Sequence, residues 1–390
     1  MGTIQTADNA LKSFYLDAVA EALDTKANPF LAKIQRTTSD VVGKDVKKLV
    51  KVGLNGGIAA GSETGDLPKA SATDYVQLTA SLKNIYGTIE ISDKAIRAAS
   101  TNEGAFVNLL NDEMDSLVKS ASYHFGRMLF GDGSGRISII EKVLEDNCFE
   151  MRSISGFAEG MIVDAYNVLD EPVPDAQGVE IVKVDRINKI VKLGGRPLDH
   201  ILLPAGCGLC LHNSFGYEIT GLDALFDDDK TTLYGVSKDV SIMQGYHQEE
   251  VGDINGSIVQ KAIDVLEEST GGKINYILCS WGVKRALVES LKAEGIVLPT
   301  VEVNGVKALD FNGVPVVTDR FCPTGTMYLL NTDDFKLHQL CDWQWLEGED
   351  GKILKQIPGK PVYTATLVKY AELLCQRPCG QGKLSGINEI

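Results

Sequence analysis

The sequence predicts an α+β protein built from several units, and three observations carry this prediction. Residues 47–52 and 75–92 have the composition of strands, and a glycine-rich stretch lies between them. Apolar residues then recur at steps of three and four from Phe106 to Met128, which predicts one long helix. From residue 255 onward, strand-like and helix-like segments alternate, as is typical of an α/β unit.

Length and composition fit a globular protein with a substantial core. The 390 residues suffice for two or three domains, and 44% of them are apolar while 23% are charged. No window approaches the ~20 consecutive apolar residues that a membrane helix needs. The N-terminus is polar where a signal peptide would be apolar, so we expect no secretion. The eight cysteines are therefore predicted to be reduced thiols in a cytosolic protein.

The charge distribution argues against tight nucleic-acid binding. The net charge is -15, from 38 basic and 53 acidic residues. Residues 1–85 hold ten basic and nine acidic residues, which leaves 28 basic and 44 acidic residues in the remainder. A protein that grips phosphates would show a basic excess or a basic stripe, and the sequence has neither.

Residues 9–24 are predicted to form an amphipathic helix that ends at Asn28-Pro29. Its apolar stripe precedes any domain core, so it must dock elsewhere on the subunit or on a neighbour. The stripe consists of Leu11, Phe14, Tyr15, Ala18, Val19, Ala22 and Leu23.

The paired strands that follow are predicted to form a protruding ribbon. The apolar positions of residues 75–92 change parity near Lys83-Asn84, which suggests a bulge or twist there. Eighteen extended residues would span roughly 60 Å, against a radius of gyration of only ~21 Å for a compact chain of this length. Such a ribbon should project from its own domain, with its edges covered by another chain.

The long helix is predicted from Glu103, with Ser100 as the cap residue of a capping box, to about Phe130. The glycine run from Gly131 to Gly135 stops it. Residues 137–235 then contain short β-like runs, two of which, VEIVKVDR and KIVKLGG, should form a hairpin. This stretch predicts a small β-rich inserted domain.

The remaining chain predicts an α/β unit and two returning strands. A helix ends at Gly271-Gly272, a strand covers Ile274–Cys279, and a second helix runs from Ser280 to Gly295. Asn304-Gly305 has the composition of a hairpin turn. Phe335–Trp345 and Val362–Leu374 are predicted to be the final long strands.

The sequence contains few candidate catalytic or metal-binding residues. Cys207, Cys210 and His212 could by residue type supply zinc ligands, but a single CxxC in a glycine-rich strand turn is more simply explained by buried thiols. No serine elbow or HExxH motif occurs, and the five histidines are scattered. We therefore expect no enzyme activity and no cofactor.

Several segments, in this order, resemble the major capsid proteins of tailed phages. They are NPFLAKI at 28–34, YGTIEISDKAI at 86–96, EMDSLVKSASYHFGRMLFGDGSG at 113–135, ITGLDALF with TTLYGVSKD at 219–239, LDFNGVPVVTDR at 309–320 and LVKYAELLCQRPCGQGKLSGI at 367–387. These proteins have the Hong Kong 97-like shell fold, which encapsulins share.

The resemblance implies a role for each segment. Residues 1–45 resemble the N-terminal arm and 46–85 the extended loop. Residues 86–136 with 334–390 resemble the peripheral domain with its spine helix at 102–131, and 236–333 the axial domain, while 137–235 form an additional insert. Contacts between subunits are expected in the arm, the loop and the axial hairpin, at Phe14, Phe30, Leu54, Ile58, Lys69, Asn304 and Gly305.

The resemblance also implies partners. The chain should assemble with itself into hexamers and pentamers of a virion capsid enclosing double-stranded DNA, in the host bacterial cytoplasm, together with a portal protein and with decoration proteins in some phages. About 45 residues precede the ribbon, which implies a separate scaffolding protein or none. Some members crosslink a loop lysine to an asparagine. Lys69 is present, but residues 332–386 contain no Asn, so no such bond is expected.

Two alternatives stay open on the sequence alone. An encapsulin-like compartment would use the same shell fold around a protein cargo. A metal or redox enzyme would use Cys207, Cys210 and His212.

Overall fold

The computed structural model describes residues 28–94, 103–145, 147–195, 203–297, 299–303, 306–348 and 351–390. Its helices include α1 Pro29–Lys33, α2 Glu103–Met128, α3 Gly256–Thr270 and α4 Trp281–Ala293. No helix in these ranges combines the length and the apolar character needed to cross a membrane. The predicted helix over residues 9–24 and the cap residue Ser100 lie outside the described residues.

The long helix predicted from Glu103 is confirmed, and it ends at Met128. Its end tightens into shorter turns, in which the amide of Phe130 donates to the carbonyl of Arg127 and the amide of Gly131 to that of Met128. Gly133 and Gly135 then adopt positive φ angles of 85° and 87°, which explains the glycines at these positions.

The predicted ribbon exists, but it is shorter than expected. Strands β2 Val41–Val42, β3 Asp45–Val52 and β4 Asp74–Ser81 form a three-stranded sheet. The chain then leaves this sheet at Leu82, and β5 Lys83–Ser92 pairs with a strand of another sheet. The prediction of one protruding strand of roughly 60 Å was therefore wrong, since eight residues span about 26 Å. The parity change marks the point where the chain passes between sheets.

A second sheet forms the platform under α2. It contains β1 Gln35–Thr37, β20 Phe335–Trp345, β21 Lys355–Gln356, β22 Val362–Cys375 and β5, with β5 paired to β22 over ten residues. The two long strands predicted near the end of the chain are thus confirmed. Side chains from α1, α2 and this sheet share one core, in which Phe30 packs edge-on against Phe335 at 5.5 Å between ring centroids.

The insert is a closed six-stranded barrel. Its strands are β6 Arg136–Val143, β7 Cys148–Met151, β8 Ile162–Tyr166, β9 Val179–Asp185, β10 Ile190–Leu193 and β11 Gly208–Leu211, closed in the order β10-β7-β6-β11-β8-β9. The predicted hairpin is confirmed as β9 and β10.

The barrel is smaller than the predicted insert of residues 137–235. Its last strand ends at Leu211, and Ile219, Leu222 and Leu225 are buried in the core beneath α2 rather than in the barrel. Short strands β12 Thr232–Leu233 and β13 Val236–Ser237 follow, also against that core. Composition did not reveal this because short apolar runs look alike whichever core they fill.

The α/β unit is a seven-stranded sheet covered by α3 and α4. It contains β14 Tyr246–Gln248, β15 Tyr276–Cys279, β16 Thr300–Val303, β17 Val306–Phe311, β18 Val314–Thr318, β19 Met327–Leu330 and β23 Gly382–Leu384, in the order β14-β23-β19-β15-β18-β17-β16. The hairpin of β16 and β17 is confirmed, while its turn residues Asn304 and Gly305 lie outside the described residues.

Local sequence sets the limits of both covering helices. The Asn255 side chain accepts from the amide of Ile258, and Ser280 Oγ accepts from the amide of Val283. Gly271 ends α3 in the left-handed conformation. Strand β23 comes from the C-terminal segment, so part of the predicted peripheral stretch 334–390 completes the α/β sheet instead.

Candidate assembly surfaces

The ribbon is anchored firmly at its base. The amide of Thr79 donates to the carbonyl of Tyr234 at 2.8 Å, and the amide of Leu82 donates to that of Lys44 at 2.9 Å. Ser81 Oγ donates to Asp45 Oδ1 at 2.6 Å across the first register pair. The ribbon therefore starts from a fixed position and direction.

Burial of the ribbon decreases from base to tip. One face carries Val46 opposite Ala80, and both are buried in the core of the same chain. Val50 and Val76 lie opposite each other farther out on this face and are only half-buried. Leu49 on the opposite face is largely exposed. The outer half of the ribbon is thus only partly covered by its own chain, since Val50 and Val76 pack against the core while Leu49 stays exposed.

The tip, residues 53–73, carries the most exposed apolar side chains of the ribbon. Leu54, Ile58 and Leu67 are 97%, 88% and 89% exposed. Asn55 holds the two sides of the tip together, because its Nδ2 donates to the carbonyl of Ser71 at 2.7 Å while its Oδ1 accepts from the amide of Gly57 at 2.8 Å. A tip that is held in shape yet exposes three large apolar residues has the character of a docking element.

The predicted contact residues differ in their exposure to solvent. Leu54, Ile58 and Lys69 all lie exposed at the tip. Phe30 is fully buried in the core of its own chain, so its prediction as a contact between subunits was wrong. The sequence does not distinguish an exposed contact residue from Phe30, because the burial of Phe30 depends on the docking of the short helix α1 on a sheet formed by distant parts of the chain. Phe14 lies outside the described residues.

The thiols of the candidate metal site do not converge. Cys207 belongs to the barrel core, whereas Cys210, three residues along the same extended segment, points to the other face. There the Cys210 thiol donates to the carbonyl of Asp164, and burial raises its pKa to about 12. His212 Nδ1 lies 2.7 Å from Asp164 Oδ1. No group of three metal-binding side chains occurs in the described ranges. Because Cys207 and Cys210 face opposite sides of the strand, these two thiols do not form a ligand pair.

Buried charges connect α2, the platform sheet and the segment after the barrel. Arg127 on α2 forms a buried ion pair with Glu218, whose pKa is raised by burial. On β22, Lys369 Nζ contacts Asp342 at 2.5 Å and lies over the rings of Phe125 and Trp343. Burial lowers the pKa of Lys369. These pairs hold the scaffold from which the ribbon projects.

Sequence reasoning missed a second set of exposed apolar side chains. On the barrel, Val168, Leu169 and Ile187 lie in turns and are mostly exposed, and Trp281 and Val297 are exposed on the α/β unit. The Val-Leu pair directly before Asp170 interrupts an otherwise polar turn, which was the available signal.

Comparison with known proteins identifies the fold. No family model matches the chain, and no curated protein matches it. Among solved structures, a chain of the cyanophage A-1(L) capsid asymmetric unit matches with a TM-score of 0.57 and 13% identity, covering 93% of both chains. The Myoviridae phage XM1 capsid matches with a TM-score of 0.47 and 8% identity over 93% of this chain and 92% of that one. The holo-SrpI encapsulin complex of Synechococcus elongatus matches with a TM-score of 0.45 and 11% identity over 96% and 95%. The chain has the Hong Kong 97-like shell fold over nearly its whole length.

Proposed function

We propose that this chain is the major capsid protein of a tailed bacteriophage, which assembles with copies of itself into the head. The observation that carries the proposal is the anchored ribbon, whose tip leaves Leu54, Ile58 and Leu67 almost fully exposed in the described chain. A shell fold and an anchored ribbon with an exposed apolar tip together favour a structural subunit over an enzyme.

Each ribbon contact needs only moderate strength. Burying a Leu or Ile side chain contributes about 1.5–3 kcal/mol. Three such residues would contribute about 5–9 kcal/mol, and the cost of ordering the subunits offsets much of that. In a closed shell every copy gives one ribbon and receives one, so many modest contacts add up to a stable particle.

The finer features of the proposal follow from the shell role. The capsomers are hexamers and pentamers, and the ribbon within residues 46–85, which hold five basic and three acidic residues, lies across acidic neighbours without strong repulsion. The shell encloses double-stranded DNA without reading its sequence, in keeping with the net charge of -15. A portal protein, a separate scaffolding protein and decoration proteins are its partners, and assembly takes place in the host cytoplasm.

A second shell function is an encapsulin-like compartment for a protein cargo. The genes beside this one discriminate between the two. Portal and terminase genes support the phage head, and a gene for a cargo enzyme supports the compartment.

Deleting residues 55–72 tests the proposal. The hairpin of β3 and β4 is paired as far as Val52 and Asp74, so Gly53, Leu54 and Thr73 remain to close it as a short turn. We expect soluble, folded subunits that form no closed particles in negative-stain electron microscopy. Normal shells from this deletion would overturn the proposal.

Two triple substitutions to Ser separate the tip from general surface hydrophobicity. The first changes Leu54, Ile58 and Leu67 at the tip, and the second changes Val168, Leu169 and Ile187 on the barrel. We expect the tip variant to lose particles and the barrel variant to keep them. Equal loss in both would mean that the tip has no special role.

A further inference from the structure

Two clefts lie side by side along α2. The first, of about 550 Å³, is formed by α2 residues Ser116, Lys119 and Tyr123 and by barrel residues Ala158–Ile162. The second, of about 570 Å³, lies between α2, the start of β5 and the segment that leaves the barrel. Both are lined by Ser120, His124 and Leu211, so together they form one groove, called here the α2 groove.

The walls of the α2 groove are fixed relative to each other. Tyr123 Oη donates to the carbonyl of Ser155 at 2.9 Å, which joins α2 to the barrel. A Cβ on Gly156 would lie 2.5 Å from Ile137 Cγ2 and 3.1 Å from the Arg127 side chain, so the barrel approaches α2 closely there. Sliding of the barrel therefore cannot close the groove without breaking these contacts.

The lining is mixed, with apolar side chains that suit an apolar occupant beside the charged side chains of Lys119 and Glu159 at the first cleft. Ile162 is 50% exposed at the edge of the first cleft, and Leu211 and Leu117 line the groove without being fully buried. His124, which lines both clefts, has its pKa lowered to about 4 by burial and by Arg127, so it is neutral at physiological pH. Its Nδ1 has no hydrogen-bond partner among the described residues.

The described chain begins beside this groove. Asn28 packs on the last turn of α2, because a Cβ on Gly126 would lie 2.1 Å from Asn28 Oδ1. Lys119, Tyr123 and Gly126 are spaced by four and three residues, so Asn28 and the first cleft lie on the same side of the helix. Seven residues of helix separate Lys119 from Gly126, which is only about 10 Å.

We propose that residues 9–24 dock their apolar stripe into the α2 groove of the same chain. Their sequence predicts an amphipathic helix of about 24 Å with one apolar face. The linker from residue 25 to Asn28 places that face at the groove at a high effective concentration, which favours the same chain over a neighbour. The inference does not depend on shell formation, because the contact lies within one copy.

Site-specific photocrosslinking in the full-length chain tests the docking. A benzoylphenylalanine at position 14, within the stripe, is expected to crosslink to residues 116–124, 158–162 or Leu211, as located by mass spectrometry. Mixing isotopically light and heavy chains distinguishes the two sources of the segment. Crosslinks only to other surfaces, or only between light and heavy chains, would overturn the proposal.

Matched variants test which faces make the contact. Ala18→Asp places a charge in the stripe, whereas Ala20→Asp places the same charge on the opposite side of the predicted helix. In the groove, Ile162→Asp is matched by Val182→Asp, since Ile162 and Val182 are 50% and 54% exposed and both lie on the barrel. We expect the crosslink yield to fall at least tenfold for Ala18→Asp and Ile162→Asp and to change less than twofold for the two controls. Similar yields within either pair would refute the assignment, and circular dichroism verifies that every variant is folded.

Discussion

Glu372 offers a sharp test of how burial shapes this protein, because its carboxyl lies at the centre of the platform sheet. The side chain is 1% exposed and accepts hydrogen bonds from the amides of Thr220 at 2.7 Å and Leu373 at 3.2 Å. Burial raises its pKa from 4.5 to about 7, and the Thr220 amide and Lys83 only partly oppose this effect. The folded protein therefore holds a proton that the unfolded chain releases.

The sign of the pH dependence follows directly. The folded-state pKa is above the unfolded one, so the stabilising contribution is full below pH 4.5 and disappears as the pH rises to about 7. At about 1.36 kcal/mol per pH unit, the total is about 3 kcal/mol, of which about 2 to 3 kcal/mol is lost between pH 5 and pH 8. Glu372→Gln removes the titration but keeps an oxygen for the Thr220 amide.

Urea unfolding at pH 5 and pH 8, followed by tryptophan fluorescence, measures this effect. The unfolding free energy of Glu372→Gln minus that of the wild type should be about 2 to 3 kcal/mol larger at pH 8 than at pH 5. Glu90→Gln, at an exposed position of β5 in the same sheet, is the matched control and should show no such change. If the difference between Glu372→Gln and the wild type were equal at both pH values, the reasoning would be wrong.

Four further outcomes are expected. Phe30→Ala should lower the unfolding free energy in urea by about 3–5 kcal/mol, since it leaves a cavity in the core, and a change under 1 kcal/mol would contradict the burial of Phe30. Gly221→Ala should abolish soluble expression or lower the melting temperature sharply, because the new Cβ would lie 2.5 and 2.6 Å from two backbone carbonyl oxygens. Gly131→Ala is the control and should be tolerated, because the atom nearest to its Cβ is 3.5 Å away. Cys210 should resist iodoacetamide at pH 8 in the folded protein, because burial raises the pKa of its thiol to about 12. Metal analysis of the purified protein should find no zinc, with or without Cys207→Ser. Rapid labelling or bound zinc would reopen the metal site.

Elements whose signals are local could be predicted from the amino-acid sequence. The steps of three and four set α2, Asn255 and Ser280 set the starts of α3 and α4, and the short link between two β-like runs set the β9–β10 hairpin. These features depend on backbone geometry and neighbouring side chains, which lie within a few residues along the chain. The exposed tip of the ribbon was predictable for the same reason, because its glycines exclude a regular element.

The sheet or core that each segment joins depends on contacts that form only in the folded chain. The strand that breaks at Leu82, the barrel that ends at Leu211 and the passage of β23 into the α/β sheet all depend on partners far away in the chain. The same holds for Phe30, which an isolated sequence cannot distinguish from an exposed contact, and for Cys207 and Cys210, whose spacing fits a ligand pair until the strand turns them apart. An apolar residue does not specify which core it joins, because burial against any core is favourable by a similar amount per unit area. The choice of partner therefore comes from the packing of the whole chain.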